Sequence, residues 1–170
     1  MDDFIVMKVC SWAWSNGYAT ARFNFRGSFG WNQTGAEDTA RVARALLERV
    51  PANTRLILAG YSYGSILAAG AAGELGDRLA GIVLISPPLS YAGLLYLGAS
   101  GWHLDKARNA GVPVLLLLGT ADQFCSVGNF ESFAATFPTG THQVVDNTDH
   151  FWRRRNELES RIQSWVSSSL

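Results

Sequence analysis

The run Leu56-Ile57-Leu58-Ala59-Gly60-Tyr61-Ser62-Tyr63-Gly64, followed by an alanine-rich segment from Ser65 to Ala72, reads as a strand that turns sharply into a helix. A G-x-S-x-G sequence placed between a strand and a helix is the pattern of a nucleophile elbow. Gly60 and Gly64 are both expected to be needed, because the two backbones flanking such a turn pack too closely for a Cβ. The turn lifts the Ser62 hydroxyl out of the sheet edge and aims the positive end of the following helix at it.

The segments on either side supply a sheet and its covering helices. Phe4–Trp14 has helical apolar spacing, with Asp2 or Asp3 as N-cap and Asn16-Gly17 as stop. Tyr18–Phe25 reads as a strand, and Ser28–Gly35 as a glycine-rich loop. Ala36–Val50 is a helix with Thr39, Ala43, Leu46, Leu47 and Val50 on one face. Its first turn carries Glu37 and Asp38, favoured there by the helix dipole, and Pro51 stops it. Arg55–Ala59 is the strand entering the elbow. Gly81–Ile85 and Val112–Leu118 are near-continuous apolar runs, as expected of parallel strands buried on both faces. Between them, Pro87–Gly111 is a loop with one helix at Leu104–Asn109. Phe130–Phe137 is a short helix, His142–Val145 the last strand and Phe151–Val166 a closing amphipathic helix. The alternation predicts an α/β fold: an open, mostly parallel sheet of about five strands, helices on both faces, in one domain over residues 1–170.

Composition narrows the function classes. The 170 residues are 48% hydrophobic and 16% charged, which suits a globular domain with a real core. Lys plus Arg and Asp plus Glu are 14 each, so no charge footprint points to nucleic acid or an anionic membrane. Arg153-Arg154-Arg155 is read as a solvated helix start. Cys10 and Cys125 make no disulfide or metal pattern and are read as ordinary buried thiols, which fits a reducing, cytoplasmic compartment. No apolar stretch has the roughly 18 residues of a membrane span, and the acidic start Met1-Asp2-Asp3 is unlike a signal peptide.

Sites in open α/β sheets lie beyond the carboxyl ends of the strands. Ser62 stands there after Ala59, Asp122 after the strand ending at Leu118, and His150 after the strand ending at Val145. A serine hydroxyl becomes a useful nucleophile once a base within hydrogen-bond reach takes its proton. His150 can accept that proton at neutral pH, and Asp122 can hold its other ring nitrogen protonated. His103 lies in the insert and His142 at a strand's start, so both are read as surface or locally hydrogen-bonded. Asp146 and Asp149 are rival acids. Asp149 adjoins His150 too closely in the chain to face it, and Asp146 needs the histidine loop to fold back, so Asp122 is preferred.

With these residues in place the chain resembles the α/β hydrolases, and more narrowly the small cap-less members related to dienelactone hydrolase. The segments that carry the resemblance, besides the elbow, are Arg22-Phe23-Asn24-Phe25-Arg26-Gly27, Gly35-Ala36-Glu37-Asp38, Ile85-Ser86-Pro87-Pro88, Leu118-Gly119-Thr120-Ala121-Asp122 and Asp149-His150-Phe151. The resemblance implies a serine esterase acting without cofactor on a small-molecule ester or related acyl substrate through Ser62, Asp122 and His150. It also implies an oxyanion donor at the backbone N–H of Tyr63, the residue after the nucleophile. Members of the family open with about three further strands and a loop carrying a second donor. They are expected to be missing here, because the helix starting near Phe4 corresponds to the one that follows that loop. The expectation is therefore activity lowered by the ~2.7–4 kcal/mol that one donor supplies. The strands at Tyr18–Phe25 and Arg55–Ala59 are then expected either to pair directly or to leave open edges. The alternative to an enzyme is a catalytically weak or inactive member of the fold that binds a ligand or partner. Leu89, Tyr91, Leu94, Leu95, Tyr96, Leu97 and Trp102 make the insert apolar, as either a lid or core packing would. Trp12, Trp14 and Trp31 suggest a self-association surface in the N-terminal region.

Overall fold

The apolar runs form a four-stranded parallel sheet in the order β1-β2-β3-β4. Its strands are β1 (Leu56–Tyr61), β2 (Leu79–Ile85), β3 (Val114–Ala121) and β4 (Gly140–Asp149). The computed structural model describes residues 3–26, 34–91, 100–153 and 156–170. Six α-helices are defined among them: α1 (Phe4–Ser15), α2 (Gly35–Leu47), α3 (Tyr63–Ala71), α4 (Ser100–Arg108), α5 (Val127–Ala134) and α6 (Asn156–Ser169).

Strand side chains point alternately to the two faces, so a strand covered on both sides must be apolar at every position. In β2 and β3, Ile82, Leu84, Val114, Leu116 and Leu118 join one cluster with Ala40 of α2, Ile66 and Leu67 of α3, Leu104 of α4 and Phe130 of α5. Val83, Ile85, Leu115 and Leu117 join the other with Ile5 of α1 and Leu158, Ile162 and Trp165 of α6. Leu115, Leu116, Leu117 and Leu118 are each 0% exposed. Burying each of these side chains contributes about 1.5–3 kcal/mol.

Residues 18–25 do not form the predicted fifth strand. A strand exists through its ladder, and among the described residues β1 has only β2 beside it. The segment is tethered by side chains instead. The Phe25 ring meets Tyr63 edge-on at 5.8 Å and Phe23 at 5.1 Å. Arg26 Nε donates to Asp38 Oδ2 at 2.9 Å, and a second guanidinium nitrogen contacts Oδ1. Asp38 is thus more than a dipole-favoured acid in the first turn of α2. Its hydrogen bond to Arg26 holds its carboxyl below the usual range.

Asp3 caps α1 by accepting from the Ile5 and Val6 N–H groups at 2.9 and 3.1 Å. The outer face of that helix leaves Phe4 and Met7 exposed, and Trp14 is 72% exposed. Trp12 is half-buried against Tyr18. The parts of the insert and loop readings that rest on Trp31, Leu94, Leu95, Tyr96 and Leu97 lie outside the described residues, as do Arg154 and Arg155. The same holds for the side chain of Trp102. Among the described residues no helix is long and apolar enough to cross a membrane.

Candidate active site

The elbow is built mainly from backbone. Ser62 has φ 51° and ψ −124°, a conformation that costs a non-glycine residue about 1–3 kcal/mol and persists only where neighbours enforce it. The Ser62 N–H donates to the Ile85 carbonyl at 2.9 Å, tying the turn to the end of β2. The Ser62 carbonyl in turn accepts from the buried Ser65 hydroxyl at 2.6 Å. A Cβ on Gly60 would stand 2.3 Å from the Gly64 carbonyl oxygen, so only glycine fits there. Gly64 differs from expectation: a Cβ there would meet nothing nearer than the Phe25 ring at 3.8 Å, an ordinary contact. Space therefore requires one glycine of the motif and permits a side chain at the other. Tyr63 opens α3, so its backbone N–H stands in the helix's first turn, at the positive end of the helix dipole. Burial raises the pKa of its phenol.

Asp122 follows β3 and is held by the turn it starts. Its Oδ1 accepts from the N–H groups of Phe124 at 2.8 Å and Cys125 at 3.2 Å. Its Oδ2 lies 2.8 Å from His150 Nδ1, and the side chain is 0% exposed. A carboxylate is an acceptor only, so Nδ1 is the ring nitrogen that donates to it, and in the neutral imidazole Nε2 is then the acceptor. That Nε2 lies 2.9 Å from Ser62 Oγ.

β1 and β4 are at opposite edges of the sheet, so His150 must reach back across β3 and β2 to meet Ser62. Several features let it do so. A Cβ on Gly119 would stand 2.0 Å from the Thr148 carbonyl oxygen, so glycine there lets the end of β4 lie against β3. Asn147 takes φ 52°, and its N–H donates to Thr120 Oγ1 at 2.9 Å. The His150 N–H donates to Gln123 Oε1 at 3.3 Å, and its carbonyl accepts from the Tyr61 hydroxyl at 3.0 Å. Two residues on, buried Trp152 donates from Nε1 to the Ser86 hydroxyl at 3.0 Å. Both of those residues are in the left-handed region, with φ 49° and 47°. The rings of Phe124, Tyr61 and Phe151 stand 4.5, 5.3 and 5.5 Å from the imidazole, leaving His150 buried.

The other candidates fall elsewhere. Asp146 is exposed, and Asp149 pairs with Arg153 at 3.4 Å. His142 is exposed at the start of β4. His103, expected to be at the surface or locally hydrogen-bonded, is buried, which removes the surface alternative, and its ring lies over Gly70 of α3, where a Cβ would come within 2.3 Å of Nδ1. Burial, aided by Lys106, lowers its pKa. Burial raises the pKa of both thiols, that of Cys125 to about 11, so neither is a ready thiolate. A surface groove lined by Arg55, Asp77, Asp105, Lys106 and Val112 opens at the amino ends of the strands, the wrong end for this chemistry. Tyr61, Gln123, Ser86 and Trp152 are absent from the sequence reading as site residues. Tyr61 sits at a free position of the motif, and Ser86 stands in Ile85-Ser86-Pro87-Pro88, a segment that carries the resemblance but gives the serine no role.

A family model described as alpha/beta hydrolase matches residues 7–109, which takes in Ser62 and Tyr63 and stops short of Asp122 and His150. Among solved structures, a protein of unknown function from Agrobacterium tumefaciens has a TM-score of 0.80 at 19% identity, over 98% of this chain and 77% of that one. The Pyrococcus furiosus esterase Pf2001 has a TM-score of 0.76 at 18% identity, over 99% and 76%. XC6422 of Xanthomonas campestris, an α/β serine hydrolase without a lid, gives 0.74 at 23%, over 98% and 74%. At these identities the likeness is one of fold. No curated protein matches the chain in sequence.

Proposed function

The chain belongs to the alpha/beta hydrolase family, and on that premise we propose that it is a serine hydrolase cleaving ester or related acyl bonds through Ser62, His150 and Asp122. One observation carries the reading: an unbroken line of contacts from Ser62 Oγ to His150 Nε2 at 2.9 Å and from Nδ1 to Asp122 Oδ2 at 2.8 Å. Both lie within hydrogen-bond reach, roughly 2.6–3.2 Å, and the first is the one along which a proton would move.

In this reading Ser62 Oγ attacks the acyl carbon as His150 Nε2 takes the hydroxyl proton. The carbonyl π pair moves to oxygen, and the Tyr63 N–H at the positive end of α3 stabilises that oxyanion. A single such donor is worth ~2.7–4 kcal/mol. Collapse of the intermediate expels the alcohol, which leaves with the proton held on Nε2, and an acyl-serine remains. Water then attacks the acyl-serine with His150 as base, releasing the acid and restoring the Ser62 hydroxyl. Asp122 stays ionised throughout and stabilises the imidazolium. Its two backbone N–H partners keep it from turning away.

An active-site-directed fluorophosphonate tests the proposal. Mass spectrometry should find one covalent adduct, on Ser62, lost in Ser62→Ala. Folded protein that takes up no label would instead favour a fold kept for ligand or partner binding.

A further inference from the structure

We propose that Tyr61, assisted by Gln123, is a positioning residue that clamps the backbone of His150 over Ser62. The proposal rests on the reading of Ser62 and His150 as nucleophile and base.

The two backbone groups of His150 are both held by side chains. Its carbonyl accepts from the Tyr61 hydroxyl at 3.0 Å, across 89 positions of sequence. Its N–H donates to Gln123 Oε1 at 3.3 Å. The origins of these two side chains matter more than their number. Tyr61 immediately precedes Ser62 and Gln123 immediately follows Asp122, so each of the two residues that flank His150 in the line has a neighbour gripping the histidine's main chain. Imidazole-to-hydroxyl and backbone-to-phenol bonds then connect the same two segments, and one cannot lengthen without straining the other. The tyrosine ring also lies against the imidazole, centroids 5.3 Å apart and planes 37° from parallel.

The chemistry of the position supports tyrosine as such. The G-x-S-x-G pattern leaves this residue free, and a phenylalanine would fill the same space. Only the hydroxyl reaches the His150 carbonyl. Burial, with the carboxylates of Asp3, Asp122 and Asp149 adding to it, pushes the phenol's pKa well above its usual value, so it remains a donor. The clamp answers the reach of His150 from the far edge of the sheet, where slack would fall directly on the Nε2–Oγ distance. A displacement of about 1 Å at a reacting group can cost on the order of a hundredfold in rate.

The test is the saturation kinetics of fluorophosphonate labelling on full-length protein. Tyr61→Phe should lower kinact about tenfold or more while leaving KI unchanged. Its melting temperature should stay within a few degrees of wild type, and the downfield proton resonance of the His150 Nδ1–H should broaden or shift. Gln123→Ala, on the exposed side of the clamp, should lower kinact by a smaller factor with the same KI. It serves as the working variant if Tyr61→Phe does not fold. Wild-type kinact in the folded variants would overturn the clamp, and so would a rise in KI accompanied by a large fall in melting temperature, the mark of general loosening. A wild-type protein that is never labelled fails differently, since it removes the nucleophile and base themselves.

Discussion

At the elbow, Ser62 is placed by backbone shape: a strand and a helix too close for a Cβ at Gly60, and a left-handed φ at the serine itself. His150, delivered from the opposite edge of the sheet, is placed by side chains from several distant segments, among them Tyr61, Ser86 and Gln123. The difference follows from distance. Ser62 leaves its own strand directly, whereas His150 must cross two others, and a loop that crosses needs anchors along its path. The position of Ser62 therefore tolerates few local changes, while that of His150 is spread over several separable contacts.

That contrast can be broken by mutation. The largest effects belong to the groups proposed to react: Ser62→Ala should abolish labelling, and Asp122→Asn, by releasing the tautomer, should slow it about 10⁴-fold with the fold intact. Next is the elbow's backbone. Gly60→Ala should cost more than about 4 kcal/mol in urea unfolding or prevent folding, the range of exceptional single substitutions. Gly64→Ala in the same motif should stay within about 1 kcal/mol, because its Cβ meets only ordinary contact and alanine favours the helix. Equal destabilisation by the two would refute the backbone account. On the histidine side, Trp152→Phe removes the Nε1 donor and leaves the buried Ser86 hydroxyl without it, an expected loss of about 1–3 kcal/mol. Labelling should slow as well, and unaltered labelling would mean that the loop's other anchors suffice.

The smallest effect concerns the tether at Arg26. Asp38 has a depressed pKa in the folded protein, so the pair's contribution is complete above the ordinary carboxyl range and fades as pH falls through the folded value. Arg26→Met should thus be less stable than wild type at neutral pH, with the gap closing in acid. A gap that stays constant from neutral to strongly acidic pH would show that the ion pair does not act this way. The pair is solvent-facing on the arginine side, so added salt should also narrow the gap.

Much of this architecture is legible along the chain because its causes are local. Apolar runs in β2 and β3 announce burial on both faces, and Asp3 caps α1 as its type and place predict. Residues 18–25 show the limit: a strand pattern is a property of the segment, but a ladder needs a neighbour, and here side chains do the tethering. His103 shows another, since whether a histidine in an insert faces water depends on which helix the insert lands on. Ser86 and Trp152 are 66 positions apart, and nothing in either neighbourhood anticipates their meeting.

By itself, the sequence determined the order of the elements from residue 35 onward, the elbow at Ser62 and the edge on which Ser62, Asp122 and His150 fall, because these depend on residues adjacent in the chain and on the alternation of strand faces. Tertiary structure alone decided which glycine the elbow needs and which side chains hold the histidine in reach of the serine. Those outcomes depend on distances of a few ångströms between segments that the chain brings together only when the sheet is assembled.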